Sequence, residues 1–148
     1  MPQRSLPCRD RAAVRPLLPL PLVPARNRVG ICDQRVIESS RVEVLSGQPE
    51  PVVTPSNSGR GQTIVRCPQC RIALWSHYAG GGPAFSFVRV GTLDNPDHLP
   101  PDIHIFTSSK QPWVVIPPGM PAVPEYYDRE KYWPKESLER RKAMLARK

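Results

Sequence analysis

The residues best suited to chemistry in this 148-residue chain are four cysteines and three histidines. Two cysteines stand apart from the rest: Cys67-Pro68-Gln69-Cys70 is a Cys-x-x-Cys turn stiffened by a proline. Such a turn points two thiolates the same way, which is how a zinc knuckle presents its ligands. A buried structural thiol pair is the bland alternative. A structural zinc takes four ligands, and Cys8 and Cys32 lie far from the turn and from each other in sequence. They read as unrelated thiols. In an exported protein four cysteines could form disulfides, but the tight 67/70 spacing favours metal, and a cytoplasmic setting over export.

The remaining candidates read more simply as structure. His104 alternates with Ile103 and Ile105, so it points to the opposite strand face, as a polar strand residue does by default. His77 and His98 fall at strand ends or loops. Trp75, Trp113, Phe85 and Phe87 read as core aromatics. Lys110 could meet an anionic substrate, but a solvated lysine is the simpler reading. Gly80-Gly81-Gly82 is a flexible loop, because no helix follows to make it a phosphate cradle. Cys67 and Cys70 are the metal ligands assigned; no catalytic residue is assigned.

These residues need strands to hold them. Thr63-Ile64-Val65-Arg66 and the run 72–77 flank the knuckle, and Ala84-Phe85-Ser86-Phe87-Val88-Arg89-Val90 is the clearest strand. Arg41-Val42-Glu43-Val44-Leu45, Val52-Val53, Ile103-His104-Ile105-Phe106 and Trp113-Val114-Val115-Ile116 also read as strands. Twenty prolines argue against long helices over most of the chain. The only substantial helix is expected after Pro134, with Leu138 and Leu145 on one face. The expectation is therefore an antiparallel all-β domain, with residues 1–35 as a Pro/Leu/Arg-rich arm, 36–133 as the β domain and 134–148 as a basic terminal helix.

The net charge of +8 invites a nucleic-acid reading, but its distribution weakens it. Residues 1–35 hold seven arginines against Asp10 and Asp33, while the remainder holds fourteen basic against eleven acidic residues. The middle of the chain is nearly balanced. The proline-broken apolar run at 16–24 is too short and interrupted to span a membrane.

From about Val36 to Trp133 the chain resembles the glutathione-dependent formaldehyde-activating enzyme family, which includes centromere protein V. The pieces that carry the likeness are Arg41-Val42-Glu43-Val44-Leu45, Cys67-Pro68-Gln69-Cys70 with Leu74-Trp75, and Val90-Gly91-Thr92-Leu93-Asp94-Asn95-Pro96. A further piece runs from Pro101-Asp102-Ile103-His104-Ile105-Phe106 through Lys110-Gln111-Pro112-Trp113. The resemblance implies a small zinc-stabilised β-tent and carbon–sulfur lyase chemistry on glutathione–formaldehyde or similar thiol–aldehyde adducts. It also implies that an N-terminal Cys-x-Cys joins Cys67 and Cys70 in a structural zinc site. A separate Cys-x-Cys-x-x-Cys would hold a second, open zinc. Neither additional motif occurs in this chain, and Arg71 stands where the family commonly has glycine. The chain therefore reads as a family member without lyase turnover; the alternative is a non-catalytic, zinc-stabilised binding module.

Read one base later with synonymous codons, residues 16–24 permit His-Cys-Cys-His-Cys-Arg-Trp-Cys. The shifted frame can continue as far as Arg35 and join Val36 in register. This suggests a frameshift covering residues up to about Arg35, whose side chains should then pack poorly and carry little regular structure.

Overall fold

A computed structural model describes residues 16–18 (backbone only), 31–56 and 58–146. Among the described residues seven short strands form: β1 (Pro16–Leu18), β2 (Cys32–Glu38), β3 (Glu50–Thr54), β4 (Gln62–Arg66), β5 (Ala73–Tyr78), β6 (Phe85–Arg89) and β7 (Ile103–His104). Two helices follow, α1 (Arg129–Tyr132) and α2 (Lys135–Ala146). The described residues gather into two units, one of residues 35–96 and one of 16–18, 31–34 and 97–146. No described helix is long and apolar enough to cross a membrane.

The first unit is an antiparallel meander. β3 pairs with β4, β4 with β5 and β5 with β6, each joined to the next in sequence. The period-two alternation that a half-buried strand requires puts Val65, Trp75 and Val88 on one face. There they meet Ile37 from β2, with Val42, Leu74 and Leu93 packed around them. On the other face the rings of Tyr78 and Phe87 meet edge to face at 4.7 Å. Arg89 is also buried, and its Nη2 donates to Ser76 Oγ at 2.9 Å. β3 lies at one end of the strand order and carries Pro51. Proline lacks a ladder donor, so an edge is where a sheet tolerates it.

The second unit is not wholly antiparallel, which corrects the expectation. β1 runs antiparallel to β2 but parallel to β7, pairing Pro16 with Ile103 and Leu17 with His104. A further parallel bridge joins His104 to Ala122. Ile103 and Ile105 are fully buried. The tail of this unit supplies aromatic rings: Tyr126 stacks on Tyr127 at 4.8 Å, and Tyr127 meets Tyr132 edge to face at 5.9 Å. Asp128 caps α1 by accepting from the Glu130 amide at 3.0 Å. The terminal helix begins directly after Pro134, with Leu138 and Leu145 half-buried, as expected.

Two expected strands are absent. Residues 42–45 follow the turn Ser39–Arg41 as irregular chain, with Val44 and Leu45 exposed. Residues 113–116 also lie outside any strand. Pro112, Pro117 and Pro118 bracket that run and remove ladder donors from both ends. Trp113 is 68% exposed, so it is not a core aromatic; Trp75 and Phe85 are buried and Phe87 is half-buried. The expected poor packing of residues up to Arg35 is not what β2 shows. β2 reaches back to Cys32, and Cys32, Gln34 and Arg35 are buried. A paired, buried strand there counts against poor packing up to Arg35. The earlier residues of the shifted reading, apart from 16–18 and Ile31, lie outside the described residues.

Candidate metal centre

The knuckle is the hairpin between β4 and β5. The Cys67 amide donates to Ile72 O at 2.9 Å, and the Arg71 amide donates back to Cys67 O at 2.9 Å. Residues 68–70 form the turn between these bonds, with Cys67 half-buried and Cys70 exposed. The register slips by one residue beyond the turn, pairing Val65 with Trp75 but Arg66 with Ala73. This bulge lets a six-residue connection close on strands that remain in register farther out.

Arg71 has φ 60°, in the left-handed region where a side chain costs about 1 kcal/mol relative to glycine. Two contacts hold it there. Arg66 Nη1 donates to Arg71 O at 2.9 Å, and the Arg71 guanidinium pairs with Glu50 on β3. The pair is half-exposed, so it offsets only part of the backbone cost. Arg71→Gly is expected to leave the turn intact and raise stability by up to about 1 kcal/mol. A urea midpoint that falls on this substitution would show that the ion pair outweighs the strain.

The donor set at this turn is two thiols that are not joined in a disulfide. Among the described residues, no group of three or more His, Cys, Asp or Glu side chains could hold a metal ion. Cys67 and Cys70 therefore do not by themselves fit the four-ligand site that a structural zinc requires. Cys32 is buried in β2, where Gln34 Nε2 lies 3.7 Å from its Sγ. Cys8 lies outside the described residues.

The histidines divide by environment. His77 is structural: Trp75 Nε1 donates to its Nε2 at 3.2 Å, and its Nδ1 lies 2.9 Å from Phe85 O. These partners fix the tautomer with the proton on Nδ1. His98 is exposed, and Lys110 is half-buried. His104 is 4% exposed, so its strand is covered on both faces rather than one. Its Nε2 has no hydrogen-bond partner among the described residues. Burial alone lowers its pKa below 6.5. Above pH 6.5 the imidazole is neutral in both the folded and unfolded chain and costs nothing. Below that pH the unfolded chain takes up a proton that the folded chain resists, so stability is lost as pH falls toward the depressed folded value. His104→Gln is expected to flatten urea midpoints measured between about pH 7.5 and 5. Parallel profiles for the two proteins would refute this.

The residue after β7's extension is strained as well. Phe106 has φ 55°, uncommon for a bulky side chain. It is pinned by its amide bond to Glu125 O at 3.0 Å, followed by Thr107 to Val123 O and Ser108 to Pro124 O, both at 3.2 Å. Its ring tilts against Tyr126 at 6.2 Å. This aromatic group, which no sequence motif marks, also includes buried Tyr127 and Trp133. Trp133 Nε1 donates to the Tyr127 hydroxyl at 2.8 Å, and burial pushes the phenol pKa well up. The only signal was the density of aromatics at 126, 127, 132 and 133.

A β-hairpin meander that closes a Cys-Pro-x-Cys turn defines a knuckle-bearing β protein. The sequence model of the glutathione-dependent formaldehyde-activating enzyme family matches residues 29–109, more than half of the chain, and the chain belongs to that family. The match takes in β2 through β7 and the knuckle. No curated protein matches the chain.

Proposed function

We propose that this chain keeps the family's frame for a glutathione-type thiol–aldehyde adduct but lacks lyase turnover. The observation that carries this is the ligand count. The family's structural and open zinc sites together need more thiolates than the four cysteines the sequence holds, and Cys67 and Cys70 are the only adjacent pair. In this reading the pair holds zinc weakly, with water in the remaining positions, in a cytoplasmic setting. The partner is a small thiol adduct; the near balance of charge through the middle of the chain disfavours nucleic acid.

The test is to measure zinc per chain and carbon–sulfur lyase turnover on the glutathione–formaldehyde adduct. Substoichiometric zinc and background turnover are expected. Turnover at the rate of a chain carrying the full cysteine set would overturn the proposal.

A further inference from the structure

The knuckle also has the geometry of a dithiol switch. We propose that Cys67 and Cys70 form a reversible intramolecular disulfide by exchange with a low-molecular-weight disulfide. This inference concerns the same thiols as the zinc reading but does not depend on adduct binding. The turn is closed at both ends by the Cys67–Ile72 and Arg71–Cys67 backbone bonds. Residues three apart across a turn lie within about 7 Å at their Cα atoms, overlapping the roughly 4.4–6.8 Å that a disulfide spans. Pro68 removes one of the loop's backbone freedoms, so little remains to be ordered on closure.

The two thiols differ in access. Cys70 is exposed and Cys67 is half-buried. The Cys70 thiolate attacks one sulfur of glutathione disulfide; the S–S bond breaks, and one glutathione leaves as thiolate and takes up a proton. The Cys67 thiolate then attacks Cys70 Sγ in the mixed disulfide and displaces the second glutathione. The two cysteines lose two electrons between them, and glutathione disulfide is reduced to two glutathiones. Attack by Cys67 is intramolecular across a short turn, so the mixed disulfide does not accumulate.

The test uses the full chain, reduced and treated with chelator, then equilibrated in glutathione buffers of increasing oxidised fraction. Remaining thiols are alkylated under denaturing conditions. Arg66 and Arg71 are trypsin sites, so both cysteines fall in the peptide 67–71, separate from Cys8 and Cys32. The expected result is loss of both alkylation sites from this peptide, with a mass lower by two hydrogens and restoration by dithiothreitol. Cys67→Ser should trap glutathione on Cys70, and Cys70→Ser should react with glutathione disulfide at least about tenfold more slowly. A native peptide that stays doubly alkylated, retains bound glutathione, or cross-links to Cys8 or Cys32 would overturn the proposal. Zinc content is measured separately on reduced chain without chelator, so failure of the metal reading and failure of the switch give different results.

Discussion

Replacing residues up to Arg35 with the shifted-frame reading is expected to supply the Cys-x-Cys-x-x-Cys of the family's open zinc site and to raise lyase turnover on the order of a hundredfold or more over the native chain. The magnitude follows from coordination. Changing a residue that merely orients a metal ligand costs about 10–100-fold, so restoring missing ligands should exceed that range. Stability should rise with it. Metal binding is folding free energy in small zinc domains. Chelator should then lower the melting temperature of the restored chain and leave the native chain almost unmoved. Equal zinc content and equal turnover in the two proteins would refute both the ligand count and the frame reading.

Trp75→Ala is expected to destabilise the first unit by about 3–5 kcal/mol, a large share of a domain's total. The side chain packs with Ile37, Val65 and Val88, so its removal opens a cavity at their centre. It also removes the donor to His77 Nε2. Trp75→Phe restores most of the volume but not that bond, and should cost about 1–2 kcal/mol. Trp113→Ala, at a 68% exposed site, should fall within about 0.5 kcal/mol of the native chain. Urea denaturation of the three variants decides the matter; a Trp75→Ala loss no larger than that of Trp113→Ala would contradict the packing described.

The two tryptophans also mark what a sequence can convey. Trp75 follows a knuckle whose spacing is local, and it lies in an alternating run with sequence neighbours to pair on both sides. The strands that hold it, β4 to β6, were legible for that reason. Residues 42–45 alternate and 113–116 form an apolar run of strand-like residues, but neither pattern says whether a partner strand exists. The cysteine pair was legible because a turn is a local object, and so was the cost at Arg71, where family resemblance marked a glycine position. Tyr127 and Trp133 were not, because their importance comes from a hydrogen bond across α1 and from burial, neither of which a motif marks. The parallel pairing of β1 with β7 joins residues more than eighty apart in sequence, beyond the reach of any periodicity.

Pro51 bears on how this chain behaves at high concentration. β3 ends the strand order, and Val53 on it is 83% exposed. An apolar terminal strand of that kind is a template on which another molecule can extend a sheet, the route by which β proteins become fibrous. A missing amide hydrogen at Pro51 breaks the row of donors that such growth requires, and the Glu50–Arg71 pair sets charges beside the gap. Proline at this position thus acts as a gatekeeper against intermolecular growth.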